Sequence, residues 1–113
     1  MQIDRKDKDG IIILSVSGRL DAVSSIEAEK EFCTILDAGH DTFLIELGGV
    51  DYISSAGLRV LLVLAKRIQQ KGGRVALAGM VAGVKEVFEI SGFSSIFKIF
   101  DEVSDAEDYI LSC

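Results

Sequence analysis

The sequence of 113 residues contains no proline, no tryptophan, only one histidine and only two cysteines. Two cysteines are too few for a disulfide framework, and without a Cys/His cluster no metal site is expected. No apolar run approaches the ~20 residues that span a bilayer, and no apolar signal segment follows the charges near the start of the chain. We therefore expect a cytoplasmic protein with no metal, no cofactor and no membrane insertion.

The balance of charge is acidic, and it argues against one class of partner. Aspartate and glutamate outnumber lysine and arginine by 18 to 12, which gives a net charge of −6. Nucleic acid is therefore not an expected partner, because phosphate backbones are bound by basic surfaces. Apolar residues make up 49% of the chain, so a hydrophobic core can form, and residues 1–113 are predicted to be one domain.

Strand and helix patterns alternate along the chain in the order ββαβαβαβα. Asp9-Gly10 is a turn signal that predicts an antiparallel hairpin at the start. The later strands, each followed by a helix, are predicted to pair mostly in parallel. The predicted fold class is therefore α/β, with a mixed, mostly parallel five-stranded sheet and four helices. The predicted strands cover residues 2–7, 11–16, 42–47, 74–78 and 95–100, and the predicted helices cover residues 24–38, 56–71, 81–91 and 104 onwards.

Local signals mark several element ends. Ser24 with Glu27, and Ser104 with Glu107, have the spacing of a capping box and are predicted to begin the first and last helices. The segment 18–21 is expected to close the second strand. Three helices are predicted to end at glycines, which are Gly39, Gly72 and Gly92.

The segment 51–59 carries the clearest functional signal. It places Ser54 and Ser55 between a strand and a helix, where unpaired N–H groups and the positive helix end favour an anion. Serine is a preferred N-cap, so one of the two hydroxyls is predicted to cap the helix. A phosphate on the other serine would be tolerated there and would add about −2 of charge to a surface that a partner must cover. Phosphorylation is thus predicted to act as a binding switch.

The helix after the serines has an uneven distribution of residue types. Val60 and Val63 fall among polar side chains, and together with Arg59 they are predicted to form part of a partner surface. A cation at Arg59 is mildly unfavourable next to the positive end of the helix, which suggests that an anion is reversibly present nearby. The predicted core face comprises Leu58, Leu61, Leu62, Ala65 and Ile68, with Leu64 on its flank.

Enzymatic activity is not predicted. The only histidine, His40, precedes the strand that leads to the serines, and no GxSxG elbow surrounds them. Asp51 is the only base nearby, and a surface carboxylate is a poor activator of a serine nucleophile. The phosphate-binding motifs GxxxxGKS/T and GxGxxG are absent. A small nucleotide-binding or hydrolytic protein is therefore the least favoured of three hypotheses.

Three segments resemble the STAS domains of bacterial anti-sigma factor antagonists, and the resemblance extends over essentially the whole chain. The resemblance implies a mixed sheet with helices and a phosphoserine at the start of the second helix. Aligning on Gly57-Leu58 implies that Ser55 is the phosphoacceptor, with Ser54, where the family often has Asp, as the alternative. The segments are Gly18-Arg19-Leu20-Asp21, Leu47-Gly48-Gly49-Val50-Asp51-Tyr52-Ile53-Ser54-Ser55-Ala56-Gly57-Leu58 and Val87-Phe88-Glu89-Ile90-Ser91-Gly92-Phe93.

The resemblance also implies a set of partners. The unphosphorylated protein is expected to bind an anti-sigma factor that is also a serine-protein kinase, and so to release the sigma factor, while a serine phosphatase resets the cycle. A weak homodimer is compatible with this scheme. The alternative is a constitutive STAS subunit of a lipid transport or stress-sensing complex. The residues expected to contact the partner are Asp51, Tyr52, Ser54, Ser55, Arg59, Val60 and Val63.

Overall fold

In the computed structural model, which describes residues 1–112, the strands and helices follow the predicted order. The strands are β1 (Gln2–Lys8), β2 (Ile11–Leu20), β3 (Thr42–Ile53), β4 (Arg74–Ala78) and β5 (Lys98–Phe100). The helices are α1 (Ser24–Asp37), α2 (Ser55–Gln70), α3 (Ala82–Ile90) and α4 (Val103–Leu111).

The five strands form one sheet in the order β1-β2-β3-β4-β5. β1 pairs antiparallel with β2 across the Asp9-Gly10 turn, and the other neighbours pair in parallel. The predicted α/β class, with a mixed and mostly parallel sheet and four helices, is confirmed. The inner strands are covered on both faces, which explains why residues 11–14, 43–45 and 76–78 are apolar and buried without interruption.

The helices cover the two faces of the sheet unequally. Helices α1, α2 and α3 pack on one face, in a core that includes Phe32, Leu61 and Phe88. Helix α4 packs on the other face through Ala106 and Ile110. Helix α2 contacts both the sheet and α1, so two of its sides are covered. Among residues 1–112, no helix has the length and apolarity that crossing a bilayer requires.

Strands β2 and β3 extend farther than the sequence pattern predicts. The predicted ends are wrong, because β2 continues to Leu20 and β3 continues to Ile53. Gly48 and Gly49 do not break β3. A Cβ on Gly49 would lie only 2.7 Å from the Cβ of Ser17, so glycine lets the two strands stay paired through an irregular register. The segment 48–53 is therefore strand and not loop.

Strand β5 is shorter than predicted. The expected strand from residue 95 is wrong, because Phe93–Ser95 forms a 3-10 turn and β5 begins only at Lys98. Phe97 is buried, and its ring lies 6.0 Å from that of Phe88 in an edge-on arrangement. Because Phe97 turns inward to make this contact, the chain joins the sheet only after it.

Both predicted capping boxes are wrong. Ser24 is already helical, and the N–H groups of Val23 and Ser24 donate instead to Asp21 Oδ1, at 3.1 and 3.0 Å. A carboxylate is a stronger acceptor than a hydroxyl, which explains the preference. Ser104 lies inside α4, which begins one residue earlier without a side-chain cap. The glycine helix ends are confirmed by positive φ angles at Gly39 (101°), Gly72 (75°) and Gly92 (79°).

Candidate functional site

Ser54 joins β3 to α2 in an extended conformation, with φ −94° and ψ 172°. Its Oγ accepts a hydrogen bond from the N–H of Gly57 at 3.3 Å and donates one to the carbonyl oxygen of Leu20 at 3.3 Å. Its own N–H donates to the same carbonyl at 2.9 Å. The prediction that one serine caps the helix is confirmed, and Ser54 is that serine. Its hydroxyl is thereby committed to holding α2 against the end of β2.

Gly57 allows the first turn of α2 to approach β2 closely. A Cβ on this residue would lie 2.8 Å from the carbonyl oxygen of Leu20 and 3.0 Å from a side-chain carbon of Ile53. Real Cβ atoms do not come so close to backbone oxygen, so only glycine fits without displacement of the helix. The start of α2 is therefore fixed by contacts that all lie on its inner side.

Ser55 is the first residue of α2, and it faces outward. Its side chain is exposed and makes no hydrogen bond to any of residues 1–112. The backbone N–H groups of Ser55 and Ala56 belong to the first helical turn and so have no intrahelical acceptor. An anionic group attached to Ser55 Oγ would therefore lie beside free donors and the positive end of the helix.

Asp51 and Tyr52 lie near the end of β3, shortly before Ser54, and both are exposed. The guanidinium of Arg19, on the neighbouring β2, lies over the Tyr52 ring at 4.2 Å from its centroid. Arg19 Nε is also 3.9 Å from Asp21 Oδ2. These contacts orient the Tyr52 ring while leaving 42% of the residue exposed, so it presents an apolar surface next to Ser55.

Arg59 is exposed and lies one helical turn after Ser55, on the same side of α2. Within residues 1–112 it makes no ion pair. Two cations at the C-terminal end of this helix do have partners, since Arg67 pairs with Asp37 at 2.9 Å and Lys71 donates to the carbonyl oxygen of Leu36. Arg59 is therefore a cation without a structural partner, next to a hydroxyl without a structural partner.

One predicted partner residue is not on the accessible surface. Val60 is only 6% exposed. Helix α2 packs against α1 as well as against the sheet, so its buried face is wider than that of a helix that contacts the sheet alone. The same packing buries Leu64, which was predicted on the flank, while Leu62 is only partly buried. Val63 is also partly covered. The prediction of an exposed Val60 is wrong, and Val63 has only part of its side chain available to a partner.

Two exposed apolar residues near the serines were not predicted from the sequence. Val23 and Ile26, at the start of α1, are 81% and 71% exposed. Ile26 borders a notch of about 180 Å³ that is also lined by Ala56 and Arg59, so α1 and α2 present one continuous surface. Ile26 lies off the helical face that the buried residues of α1 define. An apolar residue on the polar side of a helix is the sequence signal from which its exposure could have been predicted.

The site lacks the arrangement of a hydrolase. His40 precedes the start of β3, whereas Ser55 follows its end, so the histidine is at the opposite end of the strand. Its Nε2 lies 3.2 Å from Arg5 Nη2. Among residues 1–112, no group of three or more His, Cys, Asp or Glu side chains could hold a metal ion. The chemistry available at the junction is recognition by apolar, hydroxyl and cationic groups.

Comparison with known proteins places the chain among others of the same architecture. The family model described as the STAS domain matches residues 2–106. A protein assigned as the anti-sigma factor antagonist BtrV of Bordetella bronchiseptica is 39% identical over 99 residues, which cover 88% of this chain and 85% of that protein. A crystal structure of an assigned anti-sigma factor antagonist of Thermotoga maritima superimposes with a TM-score of 0.91 at 27% identity, over 96% of this chain and 93% of that one.

A third comparison concerns the fold alone. The anti-sigma factor antagonist SpoIIAA, in a structure of its unphosphorylated form, superimposes with a TM-score of 0.84. The two chains are 17% identical, and the match covers 99% of this chain and 98% of SpoIIAA. The junction between β3 and α2 described above is thus built on an architecture shared by this group of proteins.

Proposed function

The chain belongs to the STAS domain family, and we propose that it is an anti-sigma factor antagonist whose partner binding is switched by phosphorylation of Ser55. In the unphosphorylated state it binds an anti-sigma factor that is also a serine-protein kinase, and the sigma factor is released. A serine phosphatase restores the unphosphorylated state. The names of relatives such as BtrV support the antagonist class. The observation that carries the proposed switch is the difference between the two serines. The hydroxyl of Ser54 is hydrogen-bonded as the helix cap, whereas the side chain of Ser55 is exposed.

The proposed docking surface comprises Val23, Ile26, Tyr52, Ser55 and Arg59, which are all exposed. Its apolar members supply area that a partner can bury, and exposed apolar clusters of this kind are typical of protein contacts. Ser55 lies within the surface and not beside it. A phosphate there would place about −2 of charge in a contact that must be desolvated. Binding is thus lost without any change in the fold.

Arg59 gives the switch a second effect. Residues four apart on a helix have Cβ atoms about 5–6 Å apart, so a phosphate on Ser55 comes within reach of the Arg59 guanidinium. In the unphosphorylated protein Arg59 has no acid partner within residues 1–112 and is available to a carboxylate of the partner. Phosphorylation therefore adds a repelling anion and also withdraws an attracting cation.

The assignment of Ser55 is tested by phosphorylation in vitro. The protein is incubated with ATP and the candidate kinase, which is a small ATPase of the histidine-kinase type, and the modified residue is identified by mass spectrometry. Ser55→Ala is expected to abolish incorporation, and the matched control Ser54→Ala is expected to retain it. Modification that persists in Ser55→Ala and disappears in Ser54→Ala would move the acceptor by one residue.

The consequence for binding is tested by calorimetry with the same kinase. The unphosphorylated protein is expected to bind, and the Ser55-phosphorylated protein is expected to bind about 100-fold more weakly, the cost of a desolvated and unpaired charge at an interface. Equal affinity of the two forms would contradict the switch. It would favour a constitutive subunit of a transport or stress-sensing complex, which can be recognised by the partners recovered with the protein.

A further inference from the structure

A groove of about 320 Å³ lies at the other end of α2 from the serines. It is bordered by the last two turns of α2, the start of β4 and the residues just before β5. The groove exists because pairing between β4 and β5 begins only at Ala76 and Lys98, so Arg74 and Val75 have no partner on β5. Its volume is within the range of small-molecule sites, which is about 300–1,000 Å³.

The floor of the groove is apolar. Leu62 of α2 and Val75 of β4 are half-buried there and Ile96 is exposed, so each offers apolar surface to the groove. Beneath them, Ile68 and Phe97 are buried in the core on the α1–α3 face of the sheet. The groove therefore offers a preformed apolar surface that can cover the body of a ligand without rearrangement of the fold.

The rim of the groove is cationic. Lys66, Arg74 and Lys98 border it, and no Asp or Glu is among the residues that line it. Within residues 1–112, none of the three cations pairs with a carboxylate. Elsewhere in this chain of net charge −6, Lys8 and Lys85 find carboxylates at 3.0 and 2.9 Å. Three unpaired cations around one apolar groove favour an anion there.

We propose that this groove binds a small organic anion with an apolar body. The apolar floor accepts the body of the ligand, and the cationic rim accepts its carboxylate, sulfonate or phosphate group. The site is separate from the docking surface, since it lies at the opposite end of α2, and it does not depend on phosphorylation of Ser55. Because the rim is exposed, binding weakens as the salt concentration rises.

The proposal is tested with the full chain and anilinonaphthalene sulfonate, an aromatic anion that fluoresces when it leaves water. Saturable binding is expected, and Arg74→Gln and Lys98→Gln are each expected to weaken it by about three- to five-fold, as for loss of one exposed charge pair. Lys6→Gln is the matched control, because Lys6 is an exposed cation on β1, at the far edge of the sheet, that pairs with no carboxylate of residues 1–112. That variant is expected to bind like the original protein.

Two further measurements locate the bound ligand and distinguish the effect of its charge on affinity from the effect of its apolar body. Amide chemical shifts are expected to move at residues 66–69, 73–75 and 96–98, and neutral N-phenylnaphthylamine is expected to bind several-fold more weakly than the sulfonate. Equal affinities in the Gln variants and in Lys6→Gln would overturn the proposal, as would shifts confined to Val23 and Ile26. Sedimentation that shows a dimer dissociated by the sulfonate would assign the groove to a second copy of the chain instead. Thermal unfolding of each variant establishes that loss of binding is not loss of fold.

Discussion

Both ends of helix α2 are anchored to the rest of the fold, but they leave different side chains free to bind a partner. At the C-terminal end, Lys71 donates to the carbonyl oxygen of Leu36, Arg67 pairs with Asp37, and Gly73 fits against Asp41 where no Cβ could. Cationic side chains thus take part in holding that end, where the helix dipole also favours them. At the N-terminal end the anchoring groups are Ser54 and Gly57, and both act on the inner side.

The difference shows how a charge switch can be placed on a rigid element. At the N-terminal end, the side chains of Ser55 and Arg59 take part in no anchoring contact within residues 1–112, so either can change its charge or partner without loosening α2. A similar change at the C-terminal end would remove a contact to α1. The comparison predicts that substitutions on the inner side of the first turn affect stability, whereas those on the outer side affect binding.

The largest expected effect on stability is that of Gly57→Ala. Alanine is favoured over glycine in a helix by about 1 kcal/mol, but the added Cβ would overlap the carbonyl oxygen of Leu20. We expect a net loss of about 2 kcal/mol in the free energy of unfolding, measured by urea denaturation. The matched control is Gly83→Ala in α3, where a Cβ would meet nothing within 4 Å and a gain of up to about 1 kcal/mol is expected. Equal gains in the two variants would show that the first turn is not anchored against β2.

The next prediction separates the two serines by stability. Ser54→Ala removes the cap and the hydrogen bond to Leu20, and we expect it to cost about 1 kcal/mol. Ser55→Ala removes a hydroxyl that holds nothing within residues 1–112, and we expect a change within about 0.5 kcal/mol. Both are measured by urea denaturation at neutral pH. A greater cost for Ser55→Ala would contradict the assignment of the inner and outer roles.

The third prediction tests Arg59 directly, without any partner protein. With phosphoserine incorporated at residue 55, the second ionisation of the phosphate is followed by phosphorus NMR. A nearby cation stabilises the dianion, so the phosphate pKa in the original protein is expected to lie below that in Arg59→Gln, by on the order of half a unit for an exposed pair. Arg67→Gln is the control, because Arg67 is engaged with Asp37 and lies two turns farther along. An identical phosphate pKa in all three proteins would exclude the contact between phosphate and Arg59.

Much of this architecture could be predicted from the sequence, because the signals are local. The order of elements follows from hydrophobic periodicity, the helix ends follow from glycines such as Gly39 and Gly72, and the capping of α2 follows from its serine pair. The family itself was also predictable, from the segment around Ser54 and Ser55.

What could not be predicted depends on neighbours distant in the sequence. Val60 is buried because α1 lies against α2, and no property of α2 alone reveals that contact. β3 passes through Gly49 because Ser17 of β2 leaves room for nothing larger. Ser24 lost its expected capping role to Asp21, whose carboxylate competes for the same N–H groups. Each error is a case in which tertiary contact overrode a local pattern.

The smallest expected effect concerns the starts of the two neighbouring helices, which are capped by different chemistry. The α2 cap is a hydroxyl, whereas the α1 cap is the carboxylate of Asp21. The hydrogen bond from the N–H of Ser24 lowers the pKa of Asp21 below its ordinary value of 3.8, with further contributions from the Ser24 hydroxyl, the N–H of Val23 and Arg19. The start of α1 should therefore respond to acid, and the start of α2 should not.

The sign of the acid response follows from proton linkage. Between the lowered pKa of Asp21 in the folded protein and its ordinary value when unfolded, the unfolded chain binds more protons, so stability rises with pH. The contribution of Asp21 to the free energy of unfolding is thus complete above its ordinary pKa. It is lost as the pH falls through the lowered pKa of the folded protein. Carboxyl carbon NMR is expected to give Asp21 a midpoint below 3.8, and Asp21→Asn is expected to flatten the acid limb of the stability profile slightly. A midpoint at or above the ordinary value would mean that the carboxylate does not cap α1, and the contrast between the two helix starts would disappear.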